Sequence, residues 1–242
     1  MPNSVIGEFL GTFLLILLGN GVVAGALLEK SKAFGAGWLA ITTGWALAVF
    51  VGITAATAVG APGELNPAVT LANMLSGDRT TIDGVWHMSA QLCGAMIGAA
   101  AVWLHYLPHW RETADADAIR ACYFTAPAIR QPFANLLSEV IGTFVLVLVA
   151  KSIGSAGVAG ATPATNLGAI LVAALVWGIG LSLGGTTGYA INPARDLGPR
   201  LAHALLPIAG KGHSDWSYAA VPVVGPLLGA ALAIGVWRLV VS

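Results

Sequence analysis

From Ser152 to Ala194 the chain runs without a single Asp, Glu, Lys or Arg. Four more stretches share this property: Phe9 to Leu28, Ala33 to Gly63, Gly84 to Trp110 and Trp216 to Trp237. Each has the roughly 20 residues that an apolar helix needs to cross a bilayer. Charged residues make up 9% of the chain and hydrophobic ones 57%, against roughly 25% charged in soluble domains. The sequence therefore predicts a polytopic, all-α membrane protein. Six spanning helices are expected near 4–28, 38–59, 84–106, 131–152, 166–184 and 216–240.

Formal net charge is zero, so nothing points to nucleic acid or an anionic surface as partner. The two cysteines, Cys93 in an apolar run and Cys122 in an expected loop, offer neither metal spacing nor a disulfide framework. The first 28 residues lack a basic leader, and their apolar segment is long enough to stay as a helix.

The tripeptide Asn-Pro-Ala occurs twice, at Asn66-Pro67-Ala68 and at Asn192-Pro193-Ala194. Asn is a good N-cap and Pro is tolerated at the first helical position, so each copy predicts a helix start. Two short half-helices follow, near 66–76 and 192–203. Both begin where the flanking sequence lies inside the bilayer. Backbone donors exposed at that depth are tolerated only where they line a cavity, which points to a pore. The Asn side-chain oxygen caps the first turn, leaving the amide NH2 free to donate into the lumen. Two such donors and two inward-facing helix N-termini form a positive waist. It holds a hydroxyl or water oxygen as acceptor, repels cations and interrupts a proton wire.

The two halves resemble each other. Glu8, Gly11 and Thr12 match Glu139, Gly142 and Thr143 at a shift of 131 residues, while Asn66 and Asn192 are 126 apart. The repeats cover about 1–108 and 131–242 of one channel domain, 1–242. Three spans per repeat is an odd number, so the second copy enters from the opposite face, the inverted arrangement in which broken helices meet near the midplane. A polar connection, 107–130, separates them. Glycines at four-residue spacing (Gly7/Gly11, Gly21/Gly25, Gly94/Gly98, Gly180/Gly184, Gly225/Gly229) predict close helix approach in lipid.

The paired motifs, set in Glu64-Leu65-Asn66-Pro67-Ala68-Val69-Thr70 and in Tyr189-Ala190-Ile191-Asn192-Pro193-Ala194-Arg195-Asp196, resemble those of the major intrinsic proteins, the aquaporins and aquaglyceroporins. The resemblance covers essentially the whole chain. It implies a homotetramer with one pore per subunit and both termini in the cytosol, in the plasma membrane. Lysine and arginine counts oppose that orientation. Arg79, Lys151 and Arg238 would lie inside and Lys30, Lys32, Arg111, Arg120, Arg130 and Lys211 outside, contrary to the positive-inside rule.

A charge at the depth of Arg195 is functional by default. The resemblance implies that it forms an outer selectivity filter with Trp45, Gly180 and Tyr189. Water-selective members carry histidine where this chain has Gly180. Gly180 leaves space, Trp45 and Tyr189 supply an aromatic corner for a carbon backbone, and Arg195 donates to hydroxyls. Asp196, Arg200 and Val221-Pro222 agree with the glycerol-conducting branch. The expected function is thus a channel for glycerol and other small neutral solutes, including water, urea or undissociated organic acids. A water-selective aquaporin is the alternative.

Glu64 departs from the family pattern, which has histidine there. A carboxylate at this mouth is either a pH-sensitive gate or, the plainer expectation, a solvated vestibule group. Glu8 and Glu139 are expected to be buried and to accept backbone N–H groups from the stretch before each half-helix, although intramembrane acids also invite a proton-relay reading. Gly180-Leu181-Ser182-Leu183-Gly184 fits a serine-hydrolase pattern, but it ends an apolar helix and has no histidine partner in view. No enzyme activity, cofactor or metal is expected.

Overall fold

A computed structural model of the chain describes residues 3–155 and 167–241. Among these residues it has ten helices and no strand: α1 Asn3–Leu27, α2 Gly37–Ala58, α3 Pro67–Ser76, α4 Thr81–His105, α5 His109–Glu112, α6 Ala116–Ala121, α7 Pro132–Gly154, α8 Leu167–Leu183, α9 Pro193–Leu205 and α10 Val221–Val241. Five of them (α1, α2, α4, α7 and α10) are long and apolar enough to cross a membrane. The apolar α8 shows 17 residues, and its expected start at residue 166 lies outside the described residues.

Helix ends follow local chemistry. Thr80 opens α4 by accepting a hydrogen bond from the Asp83 N–H, which moves the start three residues ahead of the expected 84. The last span starts at Val221 rather than 216. Residues 216–220 form turns, and Pro222, in the first helical turn, needs no N–H partner there. The 107–130 connection, expected to be polar, carries α5 and α6 and buries Trp110, Ile119, Cys122, Tyr123 and Phe124 in the core.

The halves are interleaved. Within each, α1 packs on α2 and α4, and α7 packs on α8 and α10. The short helices cross over: α9 lies against α4 of the first half and α3 against α10 of the second. Small residues permit these approaches. A Cβ on Gly98 would come within 2.7 Å of the Phe13 carbonyl oxygen, and one on Gly225 within 2.6 Å of the Glu139 Cβ. Gly21 is different, with open space beside it, so the Gly21/Gly25 pair is not a tight crossing along its whole length.

Candidate functional site

Each short helix begins as the Asn-Pro pattern predicts. Asn66 is extended, and its side-chain oxygen accepts from the Ala68 N–H at 2.9 Å. Asn192 accepts from Ala194 N–H at 3.0 Å and Arg195 N–H at 3.3 Å. The amide groups correct one expectation. Asn66 Nδ2 donates to the Ile191 carbonyl at 2.8 Å, and Asn192 Nδ2 to the Leu65 carbonyl at 2.8 Å. Each amide therefore spends one hydrogen on the opposite half and keeps one for the lumen. Leu65 and Ile191 adopt left-handed backbone, at φ 52° and 43°, a conformation L-residues hold only under constraint.

Glu8 and Glu139 supply that constraint. Both are fully buried. The Glu8 carboxylate accepts the Glu64 N–H at 2.8 Å and the Leu65 N–H at 2.7 Å. Glu139 accepts the Ala190 and Ile191 N–H groups at 3.0 and 2.8 Å. The structural reading of the two acids thus fits their geometry. Two further donors carried no sequence signal: Gln91 Nε2, 2.8 Å from Glu8, and the Thr187 hydroxyl, 2.7 Å from Glu139.

Glu64 lines the cavity, but as a held carboxylate rather than a freely solvated one. Its side chain is 3% exposed, and three donors and a histidine ring converge on it. Oε1 accepts from Asn73 Nδ2 at 2.7 Å and Arg79 Nη2 at 3.2 Å, while Oε2 accepts from the Thr70 hydroxyl at 2.7 Å and lies 3.4 Å from His87 Nδ1. Nearby, Lys151 closes the end of α3 through Asn73, Ser76 and Asp78. The Lys151 hydrogen bond holds the Asp78 carboxyl below its ordinary range.

A cavity of about 140 Å³ runs beside both Asn residues and Arg195. Its wall is mostly apolar, with Trp45, Val49, Val69 and Val176 among the lining residues. Such a surface with few polar groups suits a small amphipathic solute. Pro67, Ala68, Pro193 and Ala194 stay out of the lining and seat the helix starts instead.

Trp45, Gly180, Tyr189 and Arg195 do converge. The Arg195 guanidinium carbon stacks 4.1 Å from the centre of the Trp45 ring, within cation–π range. The expected free space beside Gly180 is filled, however. A Cβ there would lie 2.8 Å from Tyr189 Cζ and 3.0 Å from its hydroxyl oxygen. The phenol covers Gly180, so Tyr189 faces the cavity and Gly180 does not. Trp38 carries no signal in the sequence. Its indole N–H donates to the Gly180 carbonyl at 3.0 Å, and its ring meets Tyr189 edge-on with centres 5.8 Å apart.

Asp196 and Arg200 serve as an anchor beyond the cavity. Arg200 Nε donates to Asp196 at 2.8 Å, and its other nitrogens donate to the Ser214, Asp215 and Thr125 carbonyls. Asp196 also accepts from the Thr125 N–H and hydroxyl. Ser182 sits exposed within α8, with no strand-turn context for a nucleophile.

Comparison with known proteins agrees with this architecture. Residues 1–237 match the family described as major intrinsic protein. The chain is 56% identical over 231 residues to glycerol uptake facilitator protein 3 of Lactiplantibacillus plantarum, covering 95% of this chain and 93% of that one. It is 49% identical over 239 residues to the glycerol uptake facilitator protein of Streptococcus pneumoniae, covering 99% and 100%. The X-ray structure of the aquaglyceroporin from Plasmodium falciparum superposes with a TM-score of 0.86 at 27% identity, over 99% of this chain and 96% of that one. Two cross-bonded half-helices in a six-helix apolar frame, matched by family over nearly its full length, make this chain an integral membrane protein of the major intrinsic protein family.

Proposed function

We propose that the protein is a passive channel for glycerol and other small neutral solutes, water among them, and that it excludes ions and protons. The observation that carries this reading is the cavity itself. It pairs an apolar wall built around Trp45 with a few fixed donors: the free Asn66 and Asn192 amide hydrogens and the Arg195 guanidinium. A polyol presents carbon to one side and hydroxyls to the other, and so matches both surfaces. The donor-only waist and the buried cation at Arg195 oppose a passing cation. The names of the relatives above support glycerol as the solute.

On this reading Trp45, Gly180, Tyr189 and Arg195 act as the selectivity filter, and Asn66 and Asn192 as the barrier to protons. The halves form one channel domain inserted as inverted repeats. Four subunits assemble, each with its own pore, in the plasma membrane with both termini cytosolic. A water-selective channel is the second reading, favoured by one observation: the Tyr189 phenol fills the space that Gly180 leaves.

Stopped-flow light scattering on proteoliposomes under water, glycerol and urea gradients tests the assignment. Glycerol permeability above that of empty vesicles is expected. Vesicles that conduct water but exclude glycerol would replace this reading with the water-selective one.

A further inference from the structure

The C-terminal end of α4 carries an open recess, separate from the cavity beside the Asn residues. Its volume is about 660 Å³, and Trp103, Leu107, Pro108, Pro207 and Ala209 line it together with Arg111. The floor is fixed, because Trp110 is buried and its indole N–H donates to the Trp103 carbonyl at 2.9 Å. The far wall is the stretch that leaves α9, where Lys211 donates to the His203, Ala204 and Leu206 carbonyls.

An apolar stripe leads up to this recess. Ile97 and Leu104, two turns apart on α4, and Leu107 just past its end are all exposed. The helix is long and apolar enough to cross the bilayer, so the stripe lies at acyl-chain depth and the recess at headgroup depth. Trp103 stands at the border, where interfacial aromatics gather.

Charge singles out the occupant. Six cations gather at this end of the molecule. Lys30 pairs with Glu112, Arg120 with Asp117 and Arg130 with Asp215, while Lys211 is engaged by carbonyls. Lys32 and Arg111 have no hydrogen-bond or ion-pair partner among the described residues, and of the two it is Arg111 that lines the recess. Glu112, the other charged group in the lining, is neutralised by Lys30, which leaves one net positive charge. A guanidinium matches a phosphate in two parallel N–H···O bonds. A zwitterionic headgroup would set its own cation beside Arg111, whereas an anionic one would not.

We propose that this recess binds one anionic phospholipid, with its phosphate on Arg111 and its acyl chains along Leu104 and Ile97. Such a site depends only on the membrane embedding of the chain and not on which solute passes. Pro207 and Ala209 follow α9 directly, so a lipid seated here also braces the half-helix that carries Arg195.

Wild type, Arg111→Gln and Lys32→Gln are purified as full chains in detergent, with equal melting temperatures verifying the fold. Each is titrated with dioleoylphosphatidylglycerol or dioleoylphosphatidylcholine, and bound lipid is counted by native mass spectrometry. The tightest phosphatidylglycerol on wild type should bind about tenfold better than phosphatidylcholine. Arg111→Gln should weaken it by about tenfold, the scale of one charge-assisted hydrogen bond, and Lys32→Gln should leave it within twofold. Equal binding of the two lipids to wild type would overturn the proposal, as would Arg111→Gln staying within twofold. An equal loss in Lys32→Gln would also overturn it, since that marks diffuse surface charge rather than a site. A change in subunit number in Arg111→Gln, at constant lipid, would give the recess to a second copy of the chain instead.

Discussion

Tyr189 lies across Gly180 so closely that a Cβ at position 180 would stand 2.8 Å from the phenol carbon that bears the hydroxyl. The two residues form one surface, and changing either changes the width of the pathway. Glycine is required at 180 because the aromatic side chain nine residues later already occupies the volume.

Gly180→His is therefore expected to do more than add an imidazole. It must push the phenol toward Trp45 and Arg195, narrowing the cavity where the carbon skeleton passes. Glycerol permeability should drop more than about tenfold, consistent with overpacking of a close-packed site. Water should fall much less, since the imidazole offers it a further hydrogen-bond partner. Paired water and glycerol measurements on the same vesicles check this, and an equal loss of both would contradict it.

Glu139→Gln should retain part of the function, because one oxygen still accepts from the 187–191 stretch. Glu139→Ala should not. It leaves the Ala190 and Ile191 N–H groups buried without an acceptor, at about 1–3 kcal/mol each, with nothing holding Ile191 in its left-handed turn. Yield, oligomer profile in detergent and flux are the readouts. An alanine variant normal in all three would remove this role.

Glu64→Ala is expected to destabilise strongly, since it strands the Arg79 guanidinium along with the Asn73 and Thr70 donors. Arg79 is 22% exposed and keeps some solvent, so the loss comes mainly from the stranded Thr70 and Asn73 donors, at about 1–3 kcal/mol. Glu64→Gln should sit between the two, as a neutral acceptor that loses the charge on Arg79. Thermal melting of the purified protein reads this order. If alanine melts with wild type, the Glu64 anchor contributes nothing to stability.

Ion exclusion follows from the waist. Glycerol should pass without proton or Na+ current, because each Asn amide presents only N–H to the centre of the pathway. A pH-dye assay in proteoliposomes measures it. Proton flux that rises with protein content and is blocked together with solute flux would refute the assignment of Asn66 and Asn192.

Much of this was legible in the sequence. Uncharged runs gave the spans within a few residues, Asn-Pro gave both half-helix starts, and the repeat paired Glu8 with Glu139. Arg195 stands out by its own position, as a charge at membrane depth, whereas Trp45 and Tyr189 come only through the family resemblance. Tertiary partners were not legible. Nothing local to Glu64 announces that Asn73, Arg79 and His87, on a half-helix, a loop and a span, will surround it. Trp38 reads as an interfacial aromatic until α2 packs on α8 and its N–H reaches the Gly180 carbonyl. The start of α10 was within reach, since Pro222 marks a first helical turn. The apolar character of residues 216–220 concealed it.

The reciprocal amide bonds of Asn66 and Asn192 also bear on how the chain is made. Asn66 leaves the ribosome 125 residues ahead of the Ile191 carbonyl that receives its hydrogen bond. Leu65, in turn, holds its left-handed turn for a partner not yet synthesised. Until the second half has threaded the membrane, α3 has neither its opposite cap nor the α10 surface on which it rests. The waist therefore closes as a late event in biogenesis, and a nascent chain halted between the repeats holds an unfinished funnel rather than half of a pore.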